Sequence, residues 1–130
     1  MTIEPIRGSV HLRAGGVAVL IDLSGPGLPV LTSWGADFGS LTSTEAAALV
    51  LAGRAPSLPN MVDEPEPLAI LPEHHTGWTG RPGISGSRAG RSWSPLFTTT
   101  AMTVDGEAAD PQGGLLSLEA ARVAFTAVDA

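Results

Sequence analysis

The segment Leu71–Phe97, LPEHHTGWTGRPGISGSRAGRSWSPLF, limits this chain more than any other stretch. Gly77, Gly80, Gly83, Gly86 and Gly90 are open to positive φ, while Pro72, Pro82 and Pro95 each fix φ and remove a donor. No long helix or strand can run through it. Yet it holds two of the three Trp, two of the three His and three of the seven Arg. Loops of this length are uncommon unless they serve a purpose, and binding residues concentrate on loops carried by a rigid scaffold. Trp beside Arg on a sharply turning loop suits a polar ligand. The alternative is structural: Trp78 and Trp93 plug the end of a β-sandwich and the arginines are solvated. Residue types alone leave both open.

The flanking sequence predicts mostly strands. Val10–Arg13 and Val17–Leu23 are β-rich runs separated by Ala14-Gly15-Gly16, the pattern of a tight hairpin. Val17, Val19, Ile21 and Leu23 share one face, and Ala18, Leu20 and Asp22 the other. Both faces are mostly apolar, so this strand is expected to be central and covered on both sides. Val30–Trp34 reads as a third strand, ended by Gly35. Thr42-Ser43-Thr44-Glu45 has the spacing of a capping box, which predicts one short helix over Ser43–Ala52 with Leu49 inward and Gly53 just past its end.

Further on, Arg54–Pro67 is a proline-rich connector whose Asp63, Glu64 and Glu66 lack the spacing of a calcium loop. Leu68–Leu71 reads as a short strand, Pro95–Val104 as a Thr-rich strand turned by Asp105-Gly106, and Ala108–Gly114 as a loop. Leu115–Val128 fits two patterns: a helix with Leu118, Ala121 and Phe125 on one side, or strands with Val123, Phe125 and Ala127 alternating.

Several chemistries are disfavoured by the residues. With 130 residues the chain is the size of one domain, and with no Cys it has neither disulfides nor thiolate metal sites. A net charge of −6 argues against a nucleic-acid partner. The start carries no signal-peptide pattern and the apolar runs are too short to span a bilayer, so a cytoplasmic protein is expected. Adjacent His74 and His75 point to opposite faces of an extended chain, and His11 is remote, so no metal site or other cofactor is expected. Neither a nucleophile elbow nor a phosphate loop is present around Gly80–Ser87. The residues by themselves support a β-rich binding or accessory domain.

The wording of the chain adds a resemblance. Leu12-Arg13-Ala14-Gly15-Gly16-Val17, Asp22–Pro29 (DLSGPGLP) and Trp34-Gly35-Ala36-Asp37 are followed in order by Leu71-Pro72-Glu73-His74, Gly77–Gly83 (GWTGRPG) and Trp93-Ser94-Pro95. This series resembles the start of bacterial α-galactosidases of glycoside hydrolase family 36. The resemblance implies an all-β fold, an antiparallel β-sandwich that is part of a supersandwich, with one short helix, and it favours strands for Leu115–Val128. It further implies that residues 1–130 are a truncated N-terminal domain without catalytic residues. The two barrel aspartates of the family's retaining mechanism have no counterpart here, so the chain alone is expected to be inactive. The abrupt Ala127-Val128-Asp129-Ala130 end fits that expectation.

In the family, a loop of this domain reaches a neighbouring subunit's sugar pocket. Gly77-Trp78-Thr79-Gly80-Arg81-Pro82 keeps that loop's Gly, aromatic and Arg but lacks its Asp and differs in spacing. Trp78 and Arg81 are therefore the candidate substrate-binding rim residues. The implied partners are α-galactoside sugars, met through the parent enzyme, and further copies in a homo-oligomer. A free-standing carbohydrate-binding or interaction module is the alternative.

Overall fold

A computed structural model describes residues 3–60, 67 and 69–129. Pairing begins at Gly15-Gly16, whose φ angles of 56° and 81° are those of a type I′ turn. Any side chain there would be strained, and the glycines let β1 (Ser9–Ala14) fold directly onto β2 (Val17–Asp22). The outer edge of β2 takes β3 (Val30–Ala36), which runs through Gly35 instead of stopping before it. A second sheet is built on β4 (Phe97–Val104), flanked by β5 (Glu107–Ala109) and β7 (Val123–Asp129). The first sheet has the order β3-β2-β1-β6, where β6 spans Leu115–Glu119. The architecture is mostly β, with two packed sheets and one α-helix among the described residues.

One pairing departs from the antiparallel expectation. β6 runs parallel to β1, in register Ser9–Leu115 to Arg13–Glu119. Parallel neighbours need a long crossover, and β2 to β5 with α1 lie between these two strands in sequence. Entry to the pair is locked by backbone bonds from Ser9 N to Gly114 O (2.9 Å) and from Gly113 N to Arg7 O (3.0 Å).

The two faces of β2 bury different layers, as its double apolar pattern requires. Ile21 and Leu23, with Val10 of β1, meet Met102 of β4 in the inter-sheet core, walled by Leu116, Leu118, Val123 and Phe125. Leu20 on the opposite face packs on Ala46 and Val50 of α1 (Ser43–Ala52). The capping box is complete: the Thr42 hydroxyl accepts from Glu45 N and the Glu45 carboxylate accepts from Thr42 N, each at 3.2 Å. Leu49 is only half-buried, because Ala46 and Val50 are the pair aimed straight at Leu20. Gly53 is right-handed, so its value is proximity: a Cβ there would sit 3.3 Å from Thr32 Cγ2.

The remaining expectations divide. Leu115–Val128 is two strands, parted at Ala120 with φ 48°. Ala108 and Ala109 belong to β5, not to a loop, because the Asp105-Gly106 turn returns the chain onto β4. Pro95 and Leu96 precede β4; a proline cannot donate to the ladder. Of Leu68–Leu71, Ala69 makes a single bridge to Val30 and Leu68 lies outside the described residues, as do Asp63, Glu64 and Glu66. No helix among the described residues is long and apolar enough to cross a membrane.

Candidate functional site

The Leu71–Phe97 loop is fastened to the sandwich at several points. Ile70 N donates to Pro29 O at 2.9 Å, beside the Ala69–Val30 bridge. Glu73 is 2 % exposed, and its Oε2 accepts from Phe97 N at 3.2 Å, which ties the start of the loop to the start of β4. A short 3-10 turn at His74–Thr76 follows, closed by Gly77 at φ 104°. Gly83 N then donates to Pro72 O at 2.8 Å and shuts a compact ring of chain around residues 72–83.

Inside that ring the two candidate residues meet. The Trp78 indole Nε1 donates to the backbone carbonyl of Arg81 at 3.0 Å. Its six-membered ring and Nε1 lie over Gly80, where a built Cβ would stand only 2.9–3.1 Å from them. His74 Nε2 bonds the Gly80 carbonyl at 3.1 Å, which requires the proton on that nitrogen. The indole is thus held at its polar edge by Arg81 O and packed close to Gly80, while remaining 40 % exposed. Arg81 is exposed, and its guanidinium has no hydrogen-bond or ion-pair partner among the described residues. A flat apolar face and a planar five-donor fork stand on one short turn.

The second half of the loop is a separate device. Arg88 and Arg91 exchange two backbone hydrogen bonds of 2.8 Å across Ala89-Gly90, a type I′ turn with φ 48° and 74°. Arg88 is clamped to the last strand, 2.8 Å from Asp129 Oδ2 and 3.1 Å from Asp129 O. Asp129 Oδ1 also accepts from Leu96 N at 3.0 Å. A small cleft of about 170 Å³ opens between this clamp and Ile84, Pro95 and Phe97.

Neither tryptophan of the loop is a buried core residue. Trp78 joins neither core cluster, and Trp93 is 72 % exposed. Of the histidines, His74 and His75 share the 3-10 turn while His11 is wholly buried in β1. No group of three or more His, Asp or Glu that could hold a metal ion occurs among the described residues. Sequence reading singled out Trp78 and Arg81 but not Glu73 or Asp129, whose anchoring roles rest on partners far along the chain. Comparisons with protein families, curated proteins and solved structures give no match for this chain.

Proposed function

We propose that this chain is the non-catalytic N-terminal β-domain of an α-galactosidase, with Trp78 and Arg81 at the rim of a sugar site. The observation that carries the sugar contact is the partly exposed indole: its Nε1 is already satisfied by Arg81 O, so the exposed part of the ring needs no polar partner of its own. Such a face stacks on the C–H side of a pyranose, and the adjacent guanidinium donates to hydroxyls. Preorganisation lowers the ordering cost of binding, which favours a loop tied at both ends over a mobile one. The ordered sequence motifs supply the link to α-galactosidases, and a cytoplasmic location goes with that assignment.

The hydrolytic carboxylates belong to another part of the parent enzyme in this reading. The purified chain alone should release no galactose from an aryl α-galactoside. Reading the coding sequence past Ala130 tests the assignment directly: a barrel with paired aspartates supports it, and a stop codon removes it. Self-association accompanies the reading, because β3, β5, β6 and β7 are outermost in their sheets and strand edges tend to pair. A strictly monomeric chain in light scattering counts against that part.

A free-standing carbohydrate-binding module is the second reading. It is favoured by the exposure of all three tryptophans, Trp34 at 73 %, Trp93 at 72 % and Trp78 at 40 %. Direct calorimetric binding of oligosaccharide by the isolated chain, combined with a stop codon after Ala130, would select it.

A further inference from the structure

A second cavity lies away from the loop, between the C-terminal half of α1 and the end of the first sheet where β1 begins and β2 ends. It measures about 550 Å³, within the range of small-molecule sites. Its apolar side is Ala47, Val50 and Leu51, and its polar side carries Arg7 and Arg54. Helix α1 has no charged residue after Glu45, so its solvent side, Ala47, Ala48 and Leu51, is apolar and exposed. A helix that is apolar all round is ordinarily covered on all sides.

The charged side is built and asymmetric. Arg7 is set by its neighbours: its carbonyl accepts from Gly113 N, and the next carbonyl, that of Gly8, accepts from Leu23 N at 2.8 Å. Its guanidinium rests on the Ser24 carbonyl and keeps further N–H groups. The Arg54 guanidinium has no hydrogen-bond or ion-pair partner among the described residues. Among the described residues Asp22 is the one acid lining the cavity, and both its oxygens are engaged by Ser24, from N and from Oγ at 2.9 Å each. The carbonyls at the helix end are likewise in use, Leu49 O by Gly53 N and Leu51 O by Arg54 N. What remains open is cationic donor capacity beside aliphatic surface.

We propose that this cavity is a binding site for a small amphipathic carboxylate, an anionic head between Arg7 and Arg54 with an aliphatic tail along Ala47, Val50 and Leu51. The site is independent of the sugar reading and of Trp78. Charge selects the class: in a chain of net charge −6, two arginines with unused donors border an apolar wall. A neutral lipid leaves those donors unanswered, and a bare anion leaves the wall wet.

Octanoate is the probe, titrated into the ¹⁵N-labelled chain and followed by amide shifts. The expected result is saturable shifts confined to Gly8, Ser9, Gly113 and the Ala47–Arg54 turn, with octanol and acetate each binding about tenfold more weakly. Arg54→Glu, an exposed change, should weaken octanoate by at least about tenfold while leaving the melting temperature unchanged. Leu51→Trp, which fills the apolar side, should abolish the same shifts. Non-saturable shifts, equal binding of octanol, or indifference to Arg54→Glu overturns the proposal.

Discussion

The His11 ring lies against the Phe38 ring, centroids 6.0 Å apart and planes 20° from parallel. His11 is completely buried, and neither Nδ1 nor Nε2 has a hydrogen-bond partner among the described residues. Phe38 is delivered by a short strap after β3. Asp37 holds that strap down through Arg13, whose Nε is 2.9 Å from each carboxylate oxygen, and through Gly16 O, which accepts from Asp37 N at 2.9 Å. Burial is the main reason the His11 pKa falls below 6.5; the Arg13 charge lowers it further and the Asp37 charge opposes this. The Gly39 amide chiefly, then Arg13 and His11, hold the Asp37 pKa below 3.8 against partial desolvation.

These shifts fix the sign of the acid response. A lowered histidine pKa means that the unfolded chain binds the proton more tightly. Stability is therefore complete above about pH 6.5, falls as pH drops below it, and levels off beneath the folded-state value. The Asp37 contribution is present above about pH 3.8 and is lost as pH falls through its lower folded value. Urea midpoints followed from about pH 8 down to about pH 2 should decline in that order. His11→Phe removes two unsatisfied nitrogens at similar volume, so it should flatten the first decline and stabilise by roughly 1–3 kcal/mol at low pH. A midpoint that rises on acidification between pH 6.5 and 5 would contradict this account.

Gly8→Ala should be among the most damaging single changes. Gly8 sits at φ 122°, and a Cβ there would lie 2.6 Å from both Gly114 O and Pro111 Cβ. Neither obstacle is the end of a flexible side chain. The position also joins β1 to β6 through the neighbouring Ser9–Gly114 bond. Strain and clash together predict a loss of about 3 kcal/mol or more in chemical denaturation. Gly86→Ala, where nothing lies within 4 Å, is the matched control and should shift stability by less than about 0.5 kcal/mol.

Asp129 is expected to order the far half of the loop. Asp129→Ala removes the acceptor of Leu96 N and the carboxylate that holds Arg88. Arg88 is exposed enough for the ion pair itself to contribute little, so the loss should come mostly from the stranded Leu96 amide, about 1–2 kcal/mol. Hydrogen exchange should quicken at Leu96 and Arg91 while amides of β1 and β2 stay protected. Unchanged exchange at Leu96 would show that the bond carries no local stability.

What could be read from the sequence was what short stretches determine by themselves. Thr42 and Glu45 are three residues apart and cap one another, and Gly15-Gly16 makes its turn with no outside help. The double apolar face of β2 announced its two coverings because every contributing residue lies on one strand. β5 was not legible: three residues, Glu107-Ala108-Ala109, carry little β-propensity and pair only because Asp105-Gly106 delivers them to β4. The parallel β1–β6 pair joins segments about a hundred residues apart, beyond the reach of any local pattern. Likewise Trp78 and Arg81 drew notice as neighbours on a Gly/Pro loop. The anchoring of that loop by Glu73 depends on the Phe97 amide, 24 residues on.

The indole platform can be tested without deleting the indole. Gly80 needs no positive φ, so Ala fits its backbone, but the new methyl would meet the Trp78 Nε1 and ring atoms at 2.9–3.1 Å. Trp78 is the movable party, since its ring is a side-chain end that is 40 % exposed. Gly80→Ala should tilt the ring off the loop and break the 3.0 Å bond to Arg81 O, at a cost of about 1 kcal/mol in stability. If the platform recognises sugar, the variant should lose galactoside recognition almost as fully as Trp78→Ala, measured as KM and kcat in the parent enzyme or by calorimetry on the chain itself. Arg81→Ala, which keeps the accepting carbonyl, should weaken recognition with the ring fluorescence unchanged. If Gly80→Ala alters the Trp78 environment in fluorescence while sugar recognition stays normal in both Gly80→Ala and Trp78→Ala, the indole only braces the loop, and the rim assignment of Trp78 and Arg81 fails.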